Sequence, residues 1–147
     1  MTRASGWRLA LAAAGLYMAL DQATKQAAIG AIGRGEKVNV FFGIDLTNVR
    51  NTGVAFGALS GGGALITGLT IGAVTLLLGY FALRAATPWL WLPVGVIAGG
   101  ALGNLADRAR DGAVIDFIAP TFWPAFNIAD AGIVLGVLAL LYVVEKP

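Results

Sequence analysis

Long stretches of this chain carry no charge. Residues 58–83 and 88–106 contain no Asp, Glu, Lys or Arg, and residues 126–144 contain only Asp130. About 20 predominantly apolar residues cross roughly 30 Å of hydrocarbon as a helix, so each run is long enough to span a bilayer. A chain of 147 residues with 58% hydrophobic and 12% charged content and a mean hydropathy of +0.79 is too apolar for a soluble domain and too short for two domains. It reads as a small integral membrane protein.

The first apolar run is harder to place, because residues 9–20 are followed at once by Asp21, Gln22, Lys25 and Gln26. Arg3 and Arg8 ahead of a short apolar core resemble a secretory signal peptide, but the Asp directly after the core and the lack of a small-x-small cleavage site favour a retained span over about 7–29. Asp21 and Lys25 then share one helical face, where pairing lowers the cost of their burial, either as a structural ion pair or as part of a site. The expected fold is an all-α membrane protein, a single integral domain over residues 1–147 with four transmembrane helices at about 7–29, 58–83, 88–108 and 126–144. Arg3 and Arg8 place the N-terminus in the cytoplasm, and four spans return the C-terminus there.

Between the first two spans the period changes. Val38, Val40, Phe42, Ile44 and Leu46 alternate with Asn39, Phe41, Gly43, Asp45 and Thr47, which predicts a half-buried strand on the outer surface or against the helices. The Asn and Gly residues of 48–57 then signal tight turns. Small residues recur at four-residue spacing at Gly68 and Gly72, at Gly95, Gly99 and Gly103, and at Gly132 and Gly136, the pattern that lets helix backbones approach closely in lipid.

The chain has no Cys and no His, which excludes disulfides, thiolate nucleophiles, Cys/His metal sites and imidazole-based triads. Ten scattered basic residues form no face for nucleic acid. With only Ser5 and Ser60, hydrolytic chemistry falls mainly to carboxylates, although a Ser60/Lys25 dyad stays formally open. Four of the eight acidic residues gather between residues 99 and 130, where one span ends and the next begins. There Asn104, Asp107 and Arg108 stack on one helical face, Asp116 sits in an apolar Val114-Ile115-Asp116-Phe117 setting, and Asp130 follows Asn127.

Two carboxyl groups in a site of low dielectric do not both ionise; one keeps its proton, and the pair can hold a water between them. That is the aspartic protease arrangement, in which the ionised acid takes a proton from the attacking water and the protonated one stabilises the oxyanion. The pair is expected to titrate as a unit with at least one raised pKa. A small four-span proton-coupled transporter is the alternative, and a non-catalytic scaffold subunit another. A transporter would hold its key acid near the bilayer midplane, whereas every acid here except Asp21 falls in a loop or at a span end.

Five stretches, in order, resemble lipoprotein signal peptidase, the signal peptidase II family. They are Asp21-Gln22-Ala23-Thr24-Lys25, the octet from Arg50-Asn51-Thr52-Gly53 through Val54-Ala55-Phe56-Gly57, Gly103-Asn104-Leu105-Ala106-Asp107-Arg108, Val114-Ile115-Asp116-Phe117, and Pro124-Ala125-Phe126-Asn127-Ile128-Ala129-Asp130. The resemblance implies an aspartyl endopeptidase of the bacterial cytoplasmic (inner) membrane, a hydrolase that removes signal peptides from diacylglyceryl-modified prolipoproteins just before the lipidated Cys. It implies Asp116 and Asp130 as the catalytic dyad and Asn51, Asn104, Arg108 and Asn127 as residues that position the substrate backbone and the dyad. Asp21, Lys25, Gly53 and Asp107 carry over as structural residues around them. The site would lie at the outer, periplasmic face, with the strand segment as a cradle for the substrate. No cofactor and no metal are expected, no nucleic acid, and a monomer in contact with membrane lipids. The link between Asp116 and Asp130 is short for the family and carries no charge.

Overall fold

The computed structural model describes residues 1–53 and 62–145. Among these lie four helices, α1 (Arg3–Ala31), α2 (Gly62–Arg84), α3 (Trp91–Asp111) and α4 (Ile128–Glu145), and three strands, β1 (Lys37–Phe41), β2 (Ile44–Asn51) and β3 (Val114–Pro120). The strands form one antiparallel sheet in the order β1-β2-β3. α1 begins at Thr2, whose hydroxyl accepts the Ser5 N–H at 3.1 Å and satisfies a donor that the first helical turn leaves unpaired.

α3 is the central helix, with α1 on one side and α4 on the other. Glycine sets how close they come. A Cβ on Gly95 would lie 2.7 Å from the Ala10 carbonyl oxygen and one on Gly99 2.5 Å from that of Ala14, so α1 lies directly on this face of α3. On the α4 side a Cβ on Gly100 would lie 2.7 Å from the Ala129 carbonyl oxygen. Gly68 and Gly72 of α2 instead face open space, so that part of the small-residue pattern makes no helix contact. α2 is fastened at the far end of the bundle, where Phe81 and Ala85 pack with Ala10, Leu90 and Val94 and the Trp7 ring meets Phe81 edge-on at 4.9 Å. In an apolar surrounding such packing holds the helices by close van der Waals contact, and Phe81 is fully buried in it.

Two of the helices, Gly63–Arg84 and Ile128–Glu145, are long and apolar enough to cross a membrane, with mean hydropathies of 1.9 and 2.1. Their leucines, among them Leu69, Leu76, Leu83, Leu135, Leu138 and Leu141, face outward. α1 and α3 are of similar length but turn polar residues inward: Asp21, Lys25, Asn104 and Asp107 are all buried. The apolar cluster therefore occupies one end of the bundle and a polar cluster the other.

The β region differs from its sequence reading in three ways. The alternation over residues 38–47 belongs to a hairpin, not to one strand: Gly43 adopts a φ of 71° and turns the chain, and Val38 comes opposite Leu46. The pairing slips by one residue between Asn39 and Phe41, and β1 is exposed at every position rather than half-buried, so a run of alternating residues does not by itself separate one strand from a hairpin. Residues 48–51, read as turns, instead continue β2 to Asn51. The β segment is also not confined to the link between the first two helices, because β3, which carries Asp116, adds its third strand from the α3–α4 link. Its sequence, VIDFIAP, is rich in β-branched and aromatic residues but too short to reveal a period. The sheet is tied to the end of α1 by Asn48, whose Nδ2 donates to the Ile32 carbonyl at 2.9 Å. It is tied again where the Gly35 N–H donates to the Asn48 carbonyl at 3.0 Å.

Because the α1–α3 crossing admits no side chain, Gly99→Ala is expected to destabilise the fold by about 2 kcal/mol. Gly79→Ala, where a Cβ meets nothing within 4 Å, is expected to leave stability equal or slightly raised. Unfolding in mixed micelles reads both; equal stability of Gly99→Ala and parent would contradict the packing.

Candidate active site

The polar end is organised by a buried ammonium. Lys25 is fully inaccessible, and its Nζ lies 2.8 Å from Asp21 Oδ2, 2.7 Å from Asp107 Oδ2 and 2.8 Å from Asn104 Oδ1. An ammonium has three donors, and these are its three acceptors. Without such partners a buried cation costs several kcal/mol; with them its desolvation is largely offset. Asp107 Oδ1 takes a second cation, Arg110, at 3.0 Å, so two carboxylates face two cations. Gln22 Nε2 donates to Asp21 Oδ2 at 3.1 Å and to Asp107 Oδ1 at 3.0 Å, and its Oε1 accepts from Arg110 Nη2.

The two carboxylates carry this anchorage onward. Asp21 Oδ1 accepts the Ala129 N–H at 3.0 Å, one of the first-turn amides of α4 that have no partner within the helix. The Tyr17 hydroxyl donates to the Ile128 carbonyl at 2.7 Å and holds the same turn. Asp107 Oδ2 accepts the Ile115 N–H at 3.3 Å and so fixes the start of β3 one residue before Asp116.

Asp130 lies in the first turn of α4, half-buried, in a reciprocal cap with Asn127. Asn127 Oδ1 accepts the Asp130 N–H at 2.9 Å while Asp130 Oδ2 accepts the Asn127 N–H at 3.2 Å, the capping-box geometry with Asn and Asp in place of Ser and Glu. Asp130 Oδ1 accepts from Asn104 Nδ2 at 2.8 Å. Lys25 holds the Asn104 carbonyl oxygen, so only the amide end of Asn104 is left to face Asp130.

Asp116 is 2% exposed and receives two further carboxamides, Asn127 Nδ2 on Oδ1 and Asn51 Nδ2 on Oδ2, both at 2.8 Å. The same logic orients each donor. The oxygen of Asn127 is taken by the Asp130 N–H, and that of Asn51 by the Gly53 N–H at 2.8 Å, where Gly53 has a φ of +79° that side-chain-bearing residues rarely adopt. Burial pushes the Asp116 carboxyl up to about 6, and the neighbouring Asp130 charge adds to this, while the Asn51 and Asn127 amides and the Lys25 charge oppose it. Asp116 thus binds its proton in a range where an ordinary Asp is ionised. A cleft of about 390 Å³, lined by Trp123, Phe126, Ala131, Val134 and Leu135, opens onto Asp130.

The structure brings together Asn51, Asn104, Asp116, Asn127 and Asp130 around the two carboxyl groups and Asp21, Lys25 and Asp107 behind them, with Gly53 at the rim. Arg108 is not joined to this set: it is half-buried, and its Nε has no hydrogen-bond partner among the described residues. Ser60 lies outside the described residues, as do residues 54–57 of the octet and Lys146. Lys25 already spends all three donors, so it is not free to serve a serine. Sequence reasoning missed Tyr17, Gln22 and Arg110; Gln22 stood in plain view as a polar interruption of an apolar run, while Tyr17 and Arg110 gave no signal. Among the described residues no group of three acidic side chains is placed to hold a metal ion.

Apolar helices facing outward around two hydrogen-bonded carboxyl groups describe the class of membrane aspartic peptidases. The family model described as signal peptidase (SPase) II matches residues 13–145. The chain is 41% identical over 132 residues to the lipoprotein signal peptidase of Pelotomaculum thermopropionicum, covering 86% of this chain and 85% of that one. It is 40% identical over 144 residues to the lipoprotein signal peptidase of Syntrophus aciditrophicus, covering 90% and 89%. A solved bacterial membrane enzyme superposes with a TM-score of 0.82 at 30% identity, over 93% of this chain and 92% of the other. This chain belongs to the signal peptidase II family of membrane aspartic peptidases. That membership lends no support to the transporter alternative.

Lys25→Met leaves Asp21 and Asp107 buried without their shared cation, and the expected loss of stability is about 3–5 kcal/mol. Chemical unfolding of parent and variant in detergent reads it. A variant within about 1 kcal/mol of the parent would contradict the central role given to this ion cluster.

Proposed function

We propose that this chain removes the signal peptide from bacterial prolipoproteins whose lipobox Cys already carries diacylglyceryl, cutting just before that Cys, with Asp116 and Asp130 as the catalytic pair. The observation that carries this reading is Asn127, which holds both acids at once: its side-chain amide donates to Asp116, and its backbone N–H and side-chain oxygen cap Asp130. Asp130 has an N–H and a carboxamide directed at it at the positive end of α4, an environment that suits a carboxylate. Asp116 is the acid whose burial favours the proton.

A water between the two acids gives its proton to Asp130 as its oxygen attacks the scissile carbonyl carbon, and Asp116 protonates the carbonyl oxygen. The resulting diol collapses: one hydroxyl returns a proton to Asp116, the leaving nitrogen takes the proton held by Asp130, and the C–N bond breaks. Both acids regain their starting states. Asn51 and Asn104 keep the carboxyl groups in place, and Arg108, with a donor to spare, holds a substrate carbonyl. The apolar cleft beside Asp130 accepts the hydrophobic segment ahead of the cut.

In this reading the chain is one integral domain of four membrane spans, monomeric, with both termini in the cytoplasm and the dyad at the outer face of the inner membrane. The outward leucines of α2 and α4 support lipid contact, and Arg3 and Arg8 support the orientation. Exposed Phe41, Phe42, Phe122 and Trp123 cluster where the Thr121 N–H donates to the Gly43 carbonyl at 2.8 Å, and such aromatics suit the membrane–water boundary. The sheet then lies on the bilayer surface and braces the substrate.

Cleavage of a diacylglyceryl-modified prolipoprotein by the purified chain in detergent tests this. The parent is expected to cut, with a rate that falls as pH rises through about 6, because Asp116 loses the proton it must donate. Asp116→Asn and Asp130→Asn are each expected to lose about a thousandfold in rate. Variants that cut as well as the parent would remove the dyad, and a parent that does not cut would restore the scaffold reading.

A further inference from the structure

A second polar pocket, of about 380 Å³, lies on the other side of the sheet from the dyad, lined by Arg34, Arg50, Thr52, Asp111, Gly112 and Ala113. Arg34 follows the end of α1, Asp111 closes α3, and Arg50 stands next to the last residue of β2, opposite Ile115. Successive side chains of a strand point to opposite faces, so Arg50 turns away from the side on which Asn51 reaches Asp116.

Arg50 is only partly satisfied among the described residues. Its Nη1 is buried with no hydrogen-bond partner among the described residues, and it meets Asp111 Oδ2 only as a long ion pair at 3.5 Å. A buried guanidinium N–H held only by a long ion pair has hydrogen-bonding capacity left over, and here it borders an open pocket. The Thr52 hydroxyl adds a further donor. Two guanidiniums against one carboxylate leave a single positive charge, which one monoanionic group balances. Paired, forked N–H donors and a hydroxyl around a cavity of this size match phosphate oxygens better than a point charge would.

We infer that this pocket binds a phosphodiester, and that its source is the headgroup of an anionic phospholipid. The choice of source rests on the membrane placement proposed above: the pocket is framed by the last turns of α1 and α3, at the depth where helix ends meet the headgroup layer and arginines pair with lipid phosphates. A lipid held there braces Arg50 and, one residue on, Asn51, which links membrane composition to the geometry of Asp116.

The test titrates the purified full chain in detergent with dioleoylphosphatidylglycerol and counts bound lipid by native mass spectrometry. Dioleoylglycerol serves as the control without phosphate. The parent is expected to hold one phosphatidylglycerol in preference to dioleoylglycerol. Arg50→Gln and Arg34→Gln are expected to weaken that binding roughly tenfold each. Asp111→Asn, which removes the opposing charge, is expected to tighten it. Arg34 and Asp111 have exposed side chains, so these two variants keep the test valid should Arg50→Gln fail to fold. Displacement by millimolar inorganic phosphate would support the phosphate chemistry and assign the source to the free anion; resistance to it would support the headgroup. Equal binding by the parent, Arg34→Gln and Asp111→Asn, or equal retention of dioleoylglycerol, would overturn the site. Binding is read without cleavage, so an Asp116→Asn chain that still holds the lipid separates this inference from the peptidase reading.

Discussion

A buried lysine has few ways to be stable, and the arrangement around Lys25 follows from that constraint. Its three donors need three acceptors, supplied by Asp21 one turn back on its own helix and by Asp107 and Asn104 on α3. Each acceptor then leads elsewhere. Asp21 reaches the first turn of α4, Asp107 the start of β3, and Asn104 the carboxyl of Asp130. Four separate elements are thereby brought to one point, and the close α1–α3 crossing at Gly95 and Gly99 gives Lys25 its short reach. Among the described residues the ion cluster reaches the Asp116 and Asp130 pair through Asn104, which accepts from Lys25 and donates to Asp130.

The three asparagines share a physical rule. A carboxamide is a donor at one end and an acceptor at the other, so pinning the oxygen decides where the N–H groups point. Lys25 pins Asn104, the Gly53 N–H pins Asn51, and the Asp130 N–H pins Asn127. In each case the amide end is left facing a carboxyl group. Neutral donors hold the two acids in place without adding charge, so burial continues to set the affinity of Asp116 for its proton. An arginine in the place of Asn51 would hold the carboxylate as firmly but would favour its ionised form.

Much of this was legible in the sequence because the cost of charge in an apolar setting is local. Uncharged runs marked three helices, and Asp21 with Lys25, four residues apart, foretold their ion pair. Asp116 and Asp130 stood out as acids flanked by apolar residues. The sheet was less legible. Its alternation in sequence runs through the Gly43 turn although the pairing slips by one residue there, and β3 pairs with β2 only because the helices bring two distant links together. Long-range partners such as Tyr17 with Ile128, or Gln22 with Asp107, depend on helix rotation and depth, which one chain's pattern does not encode. The resemblance of five short stretches to one family joined parts of the chain that periodicity alone left separate.

In the proposed mechanism the two acids differ, with the exchangeable proton on Asp116. Infrared spectroscopy of the purified protein reads this through the carbonyl stretch of a protonated carboxyl group. A carboxylic band is expected that disappears as pH rises through about 6, persists in Asp130→Asn and is absent from Asp116→Asn. A band that survives in Asp116→Asn and vanishes in Asp130→Asn would contradict the mechanism and reverse the roles of the two acids.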